Sequence, residues 1–150
     1  MARTATRERD GRGDRAPLTG RGPRATLSTM AVGERGPAVN RRELAAYLDR
    51  IRDRWPVEIA LLGGARVADE RGAPPQRERG PEFVVVLVSP IFDGMPWLER
   101  VYQAGNLWDA LELGAPADVH CYTPAEFERR RGTLPAVRDA AEQGLDLLSL

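Results

Sequence analysis

PEFVVVLVS, residues 81–89, decides how the chain folds. Phe83 to Val88 are all apolar and mostly β-branched, which suits an extended strand. The run is apolar at odd and even positions alike, so a strand here has both faces to bury and predicts the centre of a sheet with cover on each side. Just ahead of it stands Glu82, behind Gly80 and Pro81. A carboxylate at the mouth of a buried strand is either a solvated strand end or part of a metal or catalytic site.

Upstream, Asn40 is placed to cap a helix, with Glu43 reaching back in a capping box. Leu44, Tyr47, Leu48, Ile51 and Trp55 then recur at helical spacing up to the stop at Pro56. VEIALLGG, residues 57–64, is a short β-prone run ending in two glycines. The polar stretch that follows, ARVADERGAPPQRERG, is rich in turn formers and predicts a long loop before the central strand.

Downstream, after the loop SPIFDGMP, the residues Trp97, Leu98, Val101, Tyr102, Leu107, Trp108 and Leu111 predict a second amphipathic helix, with Gly114 past its end. These aromatic residues are expected to pack rather than to stack on bases. ADVHCYT alternates as a strand does; Asp118 and His120 share one face of it, and Cys121 takes the other and is expected in the core. Thr123, Pro124 and Glu126 give an N-cap, a first-turn proline and a capping-box partner to the helix TPAEFERRR, whose Glu128–Arg131 end is expected to be exposed. LPAVRDAAEQ reads as a last helix stopped by Gly144, and LDLLSL as an edge strand. The order predicts an α/β (α+β) domain, a mixed sheet of three or four strands with helices packed on it.

Composition sets the limits. The 150 residues suit one domain and balance 22 basic against 22 acidic side chains. Residues 1–38 are Arg-, Gly- and Pro-rich and are expected to be a disordered tail, leaving residues 39–150 as the folded domain. Met30 is an alternative start of translation. The first 36 residues hold eight arginines against four acids, so the remainder is mildly acidic and gives no basis for nucleic-acid binding. A single cysteine excludes an internal disulfide and a Cys-based zinc cluster. Without a run of roughly 20 apolar residues or an apolar leader block, a cytoplasmic protein with no membrane association is expected.

The series LLGGAR, PEFVVVLV and ADVHCYTPAEFERR, within about residues 40–150, resembles the small bacterial nucleotidyltransferase domains of the polymerase-beta-like superfamily. Their pattern is a strand ending in Gly-Ser, a strand carrying Asp-x-Asp, and a later strand with a third Asp. The three carboxylates hold two Mg²⁺ ions that bind a nucleoside triphosphate and activate the attacking hydroxyl. The resemblance implies that Glu82 and Asp118 are catalytic and bind Mg²⁺, and that Gly63, Gly64 and Arg66 bind phosphate. The chain departs from the pattern: Gly64 replaces the serine, and Gly80-Pro81-Glu82 stands in the Asp-x-Asp slot. Glu78 is a candidate for the missing carboxylate.

The expected function is therefore a nucleotidyltransferase-family domain with weakened or lost catalysis, retaining a nucleotide and Mg²⁺ or a partner-binding role. An active enzyme moving a nucleoside monophosphate from a triphosphate to a hydroxyl is the alternative, and an unrelated α/β binding domain the second. A helical protein partner is implied by the resemblance.

Overall fold

The computed structural model describes residues 39–74 and 78–150. The tail expected over residues 1–38 lies outside the described residues. Helix α1 spans Arg41–Arg54, strand β1 Ile59–Gly63, helix α2 Ala65–Glu70 and strand β2 Phe83–Val88. Helices α3, Trp97–Asn106, and α4, Ala110–Leu113, lead to strand β3, Ala117–Tyr122. Helices α5, Pro124–Arg130, and α6, Pro135–Gln143, precede strand β4, Leu145–Asp146, and a closing 3-10 turn, Leu147–Ser149. The fold is α+β around a mixed sheet.

The four strands lie in the order β3-β2-β1-β4. β2 runs antiparallel to β1 and parallel to β3, and the short β4 pairs antiparallel with β1 at the far edge. β2 is thus interior, and all six of its residues are buried. Alternation divides them between two cores. Phe83, Val85 and Leu87 pack with Leu44, Tyr47, Leu48 and Ile51 of α1, whereas Val84, Val86 and Val88 pack with Phe127 of α5 and Val137 and Ala140 of α6. One apolar run therefore glues helices to both sides of the sheet, the reason it carries no polar position.

Local chemistry sets the helix ends. Asn40 accepts from the Glu43 amide at 3.1 Å, but Glu43 does not reach back; its carboxylate pairs with Arg50 at 2.7 Å. The capping box of α5 is complete, with Glu126 N–H donating to Thr123 at 3.2 Å and Thr123 N–H donating to Glu126 at 2.8 Å.

Three elements differ from the sequence reading. Of the edge strand expected over LDLLSL only Leu145–Asp146 is extended, and Leu147–Ser149 turn into the 3-10 segment. Residues 65–70, expected in the loop, form α2: Ala, Arg and Glu are good helix formers, and Val67 is buried beneath them, while residues 71–74 and 78–80 form neither helix nor strand. The long amphipathic helix is broken after Asn106, where Asp109 accepts from the Leu111 and Glu112 amides and starts α4. The break turns Trp108 inward, against Tyr47 and Phe83, where its indole N–H donates to the Ala115 carbonyl at 2.9 Å. Leu98, Tyr102 and Leu111 are left exposed, and Arg100 takes the buried stripe of α3 instead. Its guanidinium is accepted there by the carbonyls of Met95 and Cys121 and by the Glu126 carboxylate.

Candidate functional site

The glycine turn, the mouth of β2 and the start of β3 meet at one end of the sheet. Gly63 pairs with Val84, and Val84 pairs with Asp118, so these three residues lie on one line across β1, β2 and β3. Glu82 stands two residues before Val84, at the entrance to the central strand.

At Gly64 the backbone has φ of +105°, and a Cβ there would lie 2.6 Å from the Glu82 carbonyl oxygen. Any larger residue, serine included, would collide with backbone as well as adopt a disfavoured conformation. Gly63 is less tightly confined: a Cβ on it would meet the Ala140 side chain of α6 at 3.1 Å. The first two amides of α2 are already occupied: Ala65 N–H donates to the Pro81 carbonyl and Arg66 N–H to the Glu82 carbonyl, each at 3.0 Å. The turn thus binds the segment entering β2 by its backbone.

Glu82 is held by two guanidinium groups. Arg66 Nε donates to Oε1 at 2.7 Å, and Arg79 Nε donates to Oε2 at 2.9 Å. Arg79 also bridges outward to Asp69 of α2, with Nη2 to Oδ2 at 2.8 Å. Arg66 is anchored in turn by the Gly114 carbonyl at 3.2 Å and lies 5.5 Å from the centre of the Phe83 ring. The hydrogen bonds from Arg79 and then Arg66 favour the ionised carboxylate, and push the Glu82 carboxyl down to about 2. The carboxylates it pairs with push Arg79 upward.

Asp118 has different company. Its side chain is half exposed, and its Oδ2 lies 3.1 Å from Nε2 of His120, whose Nδ1 lies 2.9 Å from the Tyr122 hydroxyl. A neutral imidazole with its proton on Nε2 satisfies both contacts, donating to Asp118 and accepting from Tyr122. Trp97 covers this row, its ring centre 6.5 Å from that of His120 and 5.4 Å from that of Tyr122. The alternation read from ADVHCYT is present: Asp118 and His120 share a face, while Cys121 is buried in the opposite core, where burial pushes its thiol up to about 12.

A cleft of about 520 Å³ opens beside the glycine turn, between α2, α6 and the segment before β2. Gly63, Gly64, Asp69, Arg71, Glu78, Arg79 and Asp139 contribute to its walls. Its arginines are engaged, Arg79 as described and Arg71 by the Gly144 carbonyl at 3.0 Å. Neither Glu82 nor Asp118 is among the lining residues.

Of the five residues singled out in the sequence, Arg66 and Glu82 come into direct contact. Gly63 and Gly64 supply the turn beneath them, and Asp118 is paired separately with His120. The carboxylate that neighbours Glu82 through a shared partner is Asp69, not Glu78. Asp69 and Arg79 were both hidden in the polar stretch. Their available signals were the i, i+3 spacing of Arg79 and Glu82, and the helix-forming composition of residues 65–70.

Mg²⁺ would have to compete with these two arginines for Glu82. That ion takes carboxylate oxygens at about 2.0–2.1 Å with its remaining positions hydrated, and both oxygens of Glu82 already face guanidinium nitrogens. Among the described residues no three His, Cys, Asp or Glu side chains converge to hold a metal ion. No helix among them is long and apolar enough to cross a membrane. Comparison with family models, with curated proteins and with solved structures finds no match to this chain.

Proposed function

We propose that the chain is a nucleotidyltransferase-like domain that has lost phosphoryl transfer and works in the cytoplasm as a partner-binding module. The observation that carries this reading is the neutralisation of Glu82 by Arg66 and Arg79. Phosphoryl transfer depends on cations placed to offset charge developing on the transferred group. A carboxylate committed to two internal cations does not recruit them, and Asp118 alone is a poor substitute. The amides of Ala65 and Arg66 are likewise committed to backbone carbonyls and do not cradle a phosphate. The exposed side chains of Leu98 and Tyr102, a turn apart on α3, supply apolar surface of the kind used in contacts between proteins.

The test uses the full chain with each nucleoside triphosphate, with and without Mg²⁺. Binding is followed by calorimetry and turnover by pyrophosphate release. The expected result is no turnover and no Mg²⁺-dependent binding. Pyrophosphate release that is lost in Glu82→Gln would establish the competing reading, an active enzyme transferring a nucleoside monophosphate to a hydroxyl.

A further inference from the structure

We infer that the Arg79 guanidinium is the resident cation of this site, a covalently attached charge that excludes divalent ions from the Asp69 and Glu82 carboxylates. The inference rests on the reading above and gives it a cause at a single residue. One nitrogen of Arg79, Nη2, lies 2.8 Å from Asp69 Oδ2 and 3.1 Å from Glu82 Oε1, while its Nε lies 2.9 Å from Glu82 Oε2. A single planar group thereby joins acids from two elements, α2 and the mouth of β2. Arg66 takes the remaining approach to Glu82 Oε1 at 2.7 Å. Two arginines face two carboxylates, so the cluster is neutral without any added ion.

A divalent ion brought to the same oxygens must displace Arg79, since its two positive charges and the guanidinium repel each other at these separations. Arg79 is tethered three residues from Glu82, so it competes at the high effective concentration of an intramolecular ligand. Removing its charge leaves Asp69 and one oxygen of Glu82 without a cation, and turns a satisfied pair into one that seeks a positive ion.

Mn²⁺ is the probe, its binding followed by electron paramagnetic resonance on the full chain, with circular dichroism to verify the fold. The wild-type protein is expected to show no Mn²⁺ binding that depends on Glu82. Arg79→Gln is expected to bind Mn²⁺ more than about tenfold tighter, and Arg79→Gln/Glu82→Gln to lose that gain. Arg79→Lys keeps the charge and is expected to bind as weakly as wild type. A natively folded Arg79→Gln with no gain overturns the inference, as does tight binding by Arg79→Lys or a Glu82-dependent site in the wild type. Turnover of a triphosphate by the wild type would sink the proposed function separately, because the Mn²⁺ comparison does not depend on activity.

Discussion

Gly64 and Glu82 meet through their backbones: a Cβ on residue 64 would lie 2.6 Å from the Glu82 carbonyl oxygen, and Gly64 holds φ of +105°. A serine at this position is therefore incompatible with how β1 turns into α2.

Gly64→Ser and Gly64→Ala are both expected to cost about 2–3 kcal/mol or more, from the disfavoured φ together with the backbone collision. Urea denaturation of the two variants measures this. Near-wild-type stability of Gly64→Ser would mean that the turn relaxes to accept a side chain.

The ion pairs of Glu82 have a pH signature. Its carboxyl falls from 4.5 to about 2 on folding, so the unfolded chain binds the proton more tightly. The resulting stabilisation is fully present above the unfolded value of 4.5 and is lost as pH falls from there through about 2. Arg79→Gln removes the largest cause of the depression, so the loss of stability between those two values should be shallower in the variant. Denaturant midpoints of wild type and variant across this range test it. Parallel curves would mean that Arg79 does not hold Glu82 in solution.

Sequence carried the architecture further than the site, and the reason is physical. FVVVLV states its own environment because burial on two faces leaves no room for a polar side chain, and the Thr123-Pro124-Glu126 cap is a local rule that needs no distant partner. The Glu82 cluster depends instead on which arginines fold back onto it. With 22 basic residues, all arginine, nothing set Arg79 apart from the rest, and Arg66 stood out only as a phosphate ligand implied by the resemblance, not as a partner of Glu82. Arg100 failed to register for a similar reason. Periodicity treats a charge as exposed, and the carbonyls and carboxylate that make its burial tolerable come from remote elements.

Arg100 joins α3 to β3 and α5, donating to the Cys121 carbonyl at 3.2 Å and to Glu126 at 2.8 Å. Burial raises the Glu126 carboxyl, but the Thr123 amide and Arg100 outweigh it and hold the group below its ordinary value. Arg100→Met leaves an acid and two carbonyls short of a donor, and should lower stability by about 2–3 kcal/mol. A double-mutant cycle with Glu126→Gln separates the ion pair from the carbonyl contacts. Coupling indistinguishable from zero would assign the loss to the carbonyls and packing alone.

Cys121 offers a probe of the core. The thiolate is the reactive form, and with its thiol fully buried and pushed up to about 12, labelling by a disulfide reagent at neutral pH should be undetectable until the chain unfolds. Rapid labelling of the native protein would show that the sheet face against α1 opens far more readily than its packing implies.

The carbon-13 resonance of the Glu82 carboxyl, assigned by comparison with Glu82→Gln, reports whether arginines or a metal ion hold this carboxylate. With arginines as its partners, Glu82 should remain ionised as pH is lowered to about 3.5, and its resonance should be unmoved by excess Mg²⁺. Titration near 4.5, or a shift on adding Mg²⁺, would show that the carboxylate is free to take a metal ion and contradict the account.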